Sequence, residues 1–133
     1  MAITIEWEDS EQTTLRIAYT GEWTWEEFHK ASDEVSALLD GVDHAVHFLI
    51  DGRHGVIPND ALLQLGDIAR SLSIINHPNA ATIIIAGASD YLRTLVDIFS
   101  KVYPNRVGAI YFTNSLPEAR ILLHNLLGEH RNT

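Results

Sequence analysis

Ala81-Thr82-Ile83-Ile84-Ile85-Ala86, followed by Gly87-Ala88-Ser89, decides the fold. The aliphatic run is apolar on both faces and too short for a helix, which marks a strand at the centre of a parallel sheet, covered above and below. Ser89 then offers a helix cap, and Leu92, Leu95, Val96, Phe99 and Val102 recur at helical spacing until Pro104. This is one β-strand followed by one amphipathic α-helix, and the same unit recurs on both sides of it.

Downstream, Ala109 to Thr113 reads as a strand. Ser115 and Glu118 have capping-box spacing, and Leu116, Ala119, Leu122, Leu123 and Leu126 line a helix expected to stop at Gly128. Upstream, Ala45 to Asp51 places Val46, Phe48 and Ile50 on one strand face. A helix is predicted to follow from about Asn59 to Ile74, with Leu62, Leu65, Ala69 and Leu72 inward. Thr24 and Glu27 form another capping box, Trp23 and Phe28 a hydrophobic staple, and Val35, Leu38 and Leu39 continue the stripe to Gly41. At the start, Ile3, Ile5 and Trp7, then Leu15, Ile17 and Tyr19, alternate with mostly polar residues around the turn Asp9-Ser10-Glu11-Gln12, as in an antiparallel hairpin. The expectation is a single ββαβαβαβα domain of the α/β class over residues 1–128. Its five-stranded sheet would be mostly parallel with an antiparallel N-terminal strand, and residues 129–133 would form a tail.

Among 133 residues, 18 are acidic and 9 basic, for a net charge of −9. Neutralising phosphates takes clustered cations, so neither a nucleic acid nor an anionic membrane surface is an expected partner. The absence of cysteine removes disulfides, thiol nucleophiles and thiolate metal sites, and fits a reducing cytoplasm. The start Met1-Ala2-Ile3-Thr4 lacks the basic and apolar regions of a signal peptide, and Ile83 to Ala86 is too short to span a bilayer. A cytoplasmic domain is the expectation.

The hairpin, the strand ending in Phe48-Leu49-Ile50-Asp51, the repeated βα units and the segment Asn114-Ser115-Leu116-Pro117-Glu118-Ala119 together resemble the STAS domain of bacterial anti-anti-sigma factors. The lipid-transfer fold of CRAL-TRIO proteins shares that architecture. The resemblance implies a non-catalytic interaction or regulatory module with a protein partner, as monomer or homodimer, or alternatively a small-molecule or lipid-binding domain. In phospho-switching members a serine stands at the start of the second helix, often as Asp-Ser-Ser-Gly. That motif falls here on Asn59-Asp60-Ala61-Leu62, and no serine or threonine lies between Asp51 and Asp67. The phospho-switch is therefore chemically missing, and Asp60 could at most supply a fixed charge.

Ligands of parallel α/β sheets collect beyond the carboxyl ends of the strands. Those ends carry Trp23, then Asp51-Gly52-Arg53-His54-Gly55, then Gly87 and Ser89, then Ser115. Asp51, Arg53, His54, Asn59 and Asp60 are the candidate partner-binding residues. Trp23, Gly87, Ser89 and Ser115 are the candidates if a small molecule binds instead. Each has an ordinary structural alternative: an Asp51–Arg53 ion pair holding a loop, and caps at Ser89 and Ser115. His54 with Asp51 or Asp60 would make a proton pair only if the side chains converge. Trp25 is either an interface anchor or part of local packing. His44, His47 and His54 lie too far apart along a strand to share one metal ion, and no phosphate loop or nucleophile elbow is present, so no metal, cofactor or catalytic set is expected.

Overall fold

Alternation in the first 20 residues builds a hairpin. Strand β1 (Ile3–Trp7) runs antiparallel to β2 (Thr14–Glu22), with Ile3 opposite Tyr19 and Trp7 opposite Leu15. The turn closes on Asp9, whose carboxylate accepts the backbone N–H groups of Thr13 and Thr14 at 3.0 and 3.1 Å. The computed structural model describes residues 2–72, 76–104 and 110–131.

Thr24 caps helix α1 (Trp25–Asp40) through the capping box with Glu27, and Trp23 stacks on Phe28 at 5.6 Å between ring centroids. The remaining elements are β3 (Val46–Val56), a 3₁₀ turn (Ala61–Gln64), α2 (Leu65–Ser71), β4 (Ala80–Ala86), α3 (Asp90–Val102), β5 (Ile110–Thr113) and α4 (Leu116–Arg131). The sheet order is β1-β2-β3-β4-β5, with every pair after the first hairpin parallel. This is the α/β fold with the mixed five-stranded sheet that the sequence predicts. Crossovers of one hand along a sequentially ordered sheet leave their helices on one face. Accordingly α1, α2 and α3 pack over Leu15, Ile17, Phe48, Ile50, Ile83 and Ile85. The last helix, α4, covers Leu49, Ile84 and Ala86 on the opposite face through Ala119 and Leu123. Ile84 is fully buried between the layers, as a two-sided apolar strand requires.

Three expected boundaries shift. The third strand does not stop at Asp51 but continues to Val56, because β2 also runs on through Gly21 and Glu22 and offers a ladder partner. The second helix does not span Asn59 to Ile74. Ile57-Pro58 lies outside any helix or strand, Asn59-Asp60 turn, the 3₁₀ turn follows, and the α-helix holds only seven residues to Ser71. Proline disfavours a helical residue before it, and Gly66 weakens the helix that remains. Ser73 and Ile74 lie outside the described residues, as does Ala109 of the expected fifth strand. The last helix passes through Gly128 to Arg131, since one glycine inside a helix costs only about 1 kcal/mol. Of the expected tail, Asn132 and Thr133 lie outside the described residues.

Candidate functional site

The carboxyl end of β3 is built by a bulge. Ala18 and Thr20 of β2 face Asp51 and His54, so two steps on one strand match three on its neighbour. The irregularity lets Asp51 and Arg53 meet. The Asp51 carboxylate accepts the Arg53 backbone N–H at 3.2 Å, and the guanidinium grips it with two bonds of 2.8 Å. Asp51 is buried and Arg53 is more than a third exposed, so the arginine is a cover through which the carboxylate stays charged. Its hydrogen bonds hold the Asp51 carboxyl below the ordinary carboxylate range, against the opposing effect of burial.

A carboxylate whose folded pKa lies below its unfolded value stabilises the fold above the unfolded value, about 3.9, and loses that contribution as pH falls through the folded one. Asp51→Asn is therefore expected to flatten the fall in melting temperature below about pH 4. The change should be modest because Arg53 is partly solvated. An acid limb identical to that of the parent chain would disprove the linkage.

Of the other partner-binding candidates, His54 is exposed and makes no hydrogen bond or ion pair among the described residues. The proton pair of His54 with Asp51 or Asp60 is thus not assembled. Asn59 and Asp60 are exposed on the turn that follows β3. Asp60 gives its carboxylate to Trp25, whose indole N–H donates to it at 2.8 Å. That bond ties the irregular segment to the first turn of α1.

Behind this tie lies the feature the sequence did not predict: an apolar cavity of about 200 Å³, partly open to solvent. A chain this short, with four helices, leads one to expect little beyond core. The 3₁₀ turn and the seven-residue α2 border it where a continuous helix is expected. Trp23, Trp25 and Phe28 form one wall, in edge-on and stacked contacts of 5.1 to 5.6 Å. Ile50, Ile83 and Ile85 make the sheet floor, Leu92, Leu95 and Phe99 of α3 the opposite wall. Ile57, Ala61, Leu65 and Ile68 enclose the remaining side. Among the described residues, no charged side chain lines it.

Of the small-molecule candidates, Trp23 and Ser89 line the cavity. Ser89 also caps α3 by accepting from the Leu92 N–H at 3.1 Å. Gly87 lies outside it and serves another purpose, a close approach to the Arg53 stem. Ser115 begins α4, which packs on the opposite face of the sheet, and accepts the Glu118 N–H at 3.3 Å as a cap. Trp25 belongs both to local packing and to the cavity wall. The pointers to the cavity in the sequence are Pro58 just before the expected helix, Gly66 within it, and the aromatic residues Tyr19, Trp23, Trp25 and Phe28.

The histidines do not converge. His44 contacts the Ala45 carbonyl at 3.1 Å, His47 is buried within β3, and His54 is exposed at its far end. Among the described residues no three His, Asp or Glu side chains are placed to hold a metal ion, and no helix is long and apolar enough to cross a membrane. No protein-family model matches the chain, and no curated protein matches it in sequence.

Proposed function

We propose that this STAS-like domain is a binding protein for a small apolar molecule, which it holds between the sheet and helices α1, α2 and α3. The cavity carries the proposal. Protein interiors pack like organic crystals, with few voids larger than a water molecule. At ~24 cal/mol per Å³, an unfilled void of this size costs up to about 5 kcal/mol. Solvent access lowers that figure, yet an occupant would still recover much of it. A cavity of about 150 Å³ lined by Leu, Ile and Phe suits benzene, so the space here fits a substituted ring or a short acyl segment. Gly55 and Ser89 of its lining lie at or just past the carboxyl ends of β3 and β4, the side on which α/β sheets bind ligands.

Trp23 and Trp25 line the cavity and report on it directly. Titration with propylbenzene and with 2-methyl-1-octene is expected to give a saturable change in tryptophan fluorescence at one molecule per chain. No saturable response to either probe would remove the proposal.

A second reading has its own observation. Val56, Leu62 and Leu63 are exposed on the segment that encloses the cavity, beside Asn59 and Asp60. A protein partner docking on the expected partner-binding residues would cover them. Native mass spectrometry of the chain isolated from its own cell extract separates the two: a retained small molecule supports the first, a retained polypeptide the second. The acidic, cysteine-free composition supports a cytoplasmic setting without nucleic acid for either.

A further inference from the structure

We propose that Tyr19 fixes the class of ligand: its hydroxyl donates a hydrogen bond to an uncharged oxygen acceptor, so that a small apolar carbonyl compound is favoured over a hydrocarbon or a carboxylic acid. This rests on the cavity being a ligand site, as proposed above.

Tyr19 stands on β2 at the bulge, packs against Trp23 at 5.4 Å and lines the cavity. Buried tyrosine hydroxyls usually find a partner. Tyr19 is half-buried, and its hydroxyl makes no hydrogen bond to a described residue. Burial alone raises its pKa well above the ordinary phenol value, so it remains a neutral donor at any working pH. Two of the other polar side-chain groups of the lining are committed or peripheral, and the half-buried Trp23 N–H is a second donor beside Tyr19. The Trp25 N–H is taken by Asp60, and Ser89 is exposed and already caps α3. Tyr19 is therefore the one hydroxyl of the lining, among the described residues, left to orient a ligand, with the Trp23 N–H beside it, in keeping with apolar sites that rely on a few placed donors.

The same lining rejects charge. A carboxylate entering the cavity would leave water with no cation to meet it among the described residues, since no Lys, Arg or His of these lines the walls. A hydrocarbon would fill the space but leave the hydroxyl unpaired. A ketone, aldehyde or ester satisfies both demands.

The test compares 2-octanone with 2-methyl-1-octene, which have the same shape and differ only in the acceptor, in the parent chain and in Tyr19→Phe. Phenylalanine keeps the ring that packs on Trp23, and thermal unfolding checks that the fold is retained. Tyr19→Phe is expected to weaken ketone binding about tenfold and to leave the alkene within about twofold. The carbonyl stretch of bound 2-octanone should also lie at lower frequency in the parent chain than in Tyr19→Phe, a signature that altered packing would not produce. If both probes bind and Tyr19→Phe shifts them equally, with no change in the carbonyl stretch, the role of Tyr19 is refuted while the cavity remains a site. If neither probe binds the parent chain, both proposals fall together.

Discussion

Ile68→Trp is expected to abolish binding of apolar probes while leaving the melting temperature unchanged or raising it by a few degrees. Ile68 lies on the short helix α2, is half-buried, and lines the cavity. An indole there adds volume where the fold has space, and cavity filling commonly adds ~0.5–2 kcal/mol of stability. That increment raises the melting temperature by roughly 2–8 °C for a domain of this size. The pairing of the two outcomes is informative, because a substitution that merely damages the core would lower stability and binding together. Tryptophan fluorescence titration with propylbenzene, run beside thermal unfolding, reads both. Undiminished binding in a stably folded Ile68→Trp chain would place the ligand elsewhere.

The architecture was legible because each of its signals is local. The Thr24–Glu27 capping box, the Trp23–Phe28 staple and the two-sided apolar strand around Ile84 each state a backbone conformation within a few residues, and each is realised. The site was less legible because a cavity is a relation between distant elements. Ile57, Ile68, Ile85 and Phe99 look like ordinary core residues at strand or helix spacing, and nothing in their periodicity says that the space between them is unfilled. The decisive departure was the second helix, where inward-facing Leu62 and Leu65 suggested a continuous element from residue 59. Tertiary context overrode that pattern: Leu62 is half exposed and Leu65 lines the cavity. The Asp51-Gly52-Arg53-His54-Gly55 stretch looked like a loop for the converse reason. Two glycines and three ionisable residues are weak strand formers, yet pairing with the extended β2 holds them in the sheet.

Gly87→Ala is expected to destabilise the domain by roughly 2–4 kcal/mol, lowering the melting temperature by ~10 °C. Gly87 follows β4 with φ of +70°, in the left-handed region that costs other residues about 1–2 kcal/mol. Its N–H donates to the Thr113 carbonyl at 2.9 Å, so the backbone cannot simply relax to another conformation without losing that bond. A Cβ at this position would stand 2.2 Å from the Arg53 Cγ and 3.3 Å from its Cα. The arginine stem crosses the glycine on its way to Asp51, so the added methyl must displace it and strip the buried carboxylate of its partner. The two parts of the cost can be separated by a double-mutant cycle with Arg53→Ala, which removes the Cγ. In that background Gly87→Ala should cost mainly the backbone part, about 1–2 kcal/mol, because only the milder approaches of 3.2 and 3.3 Å to the Cβ and Cα of residue 53 remain. A coupling of ~1–2 kcal/mol between the substitutions would then measure the close approach itself. Strict additivity would mean that Gly87 is required for its backbone alone, and that the Asp51–Arg53 pair forms independently of the glycine beneath it.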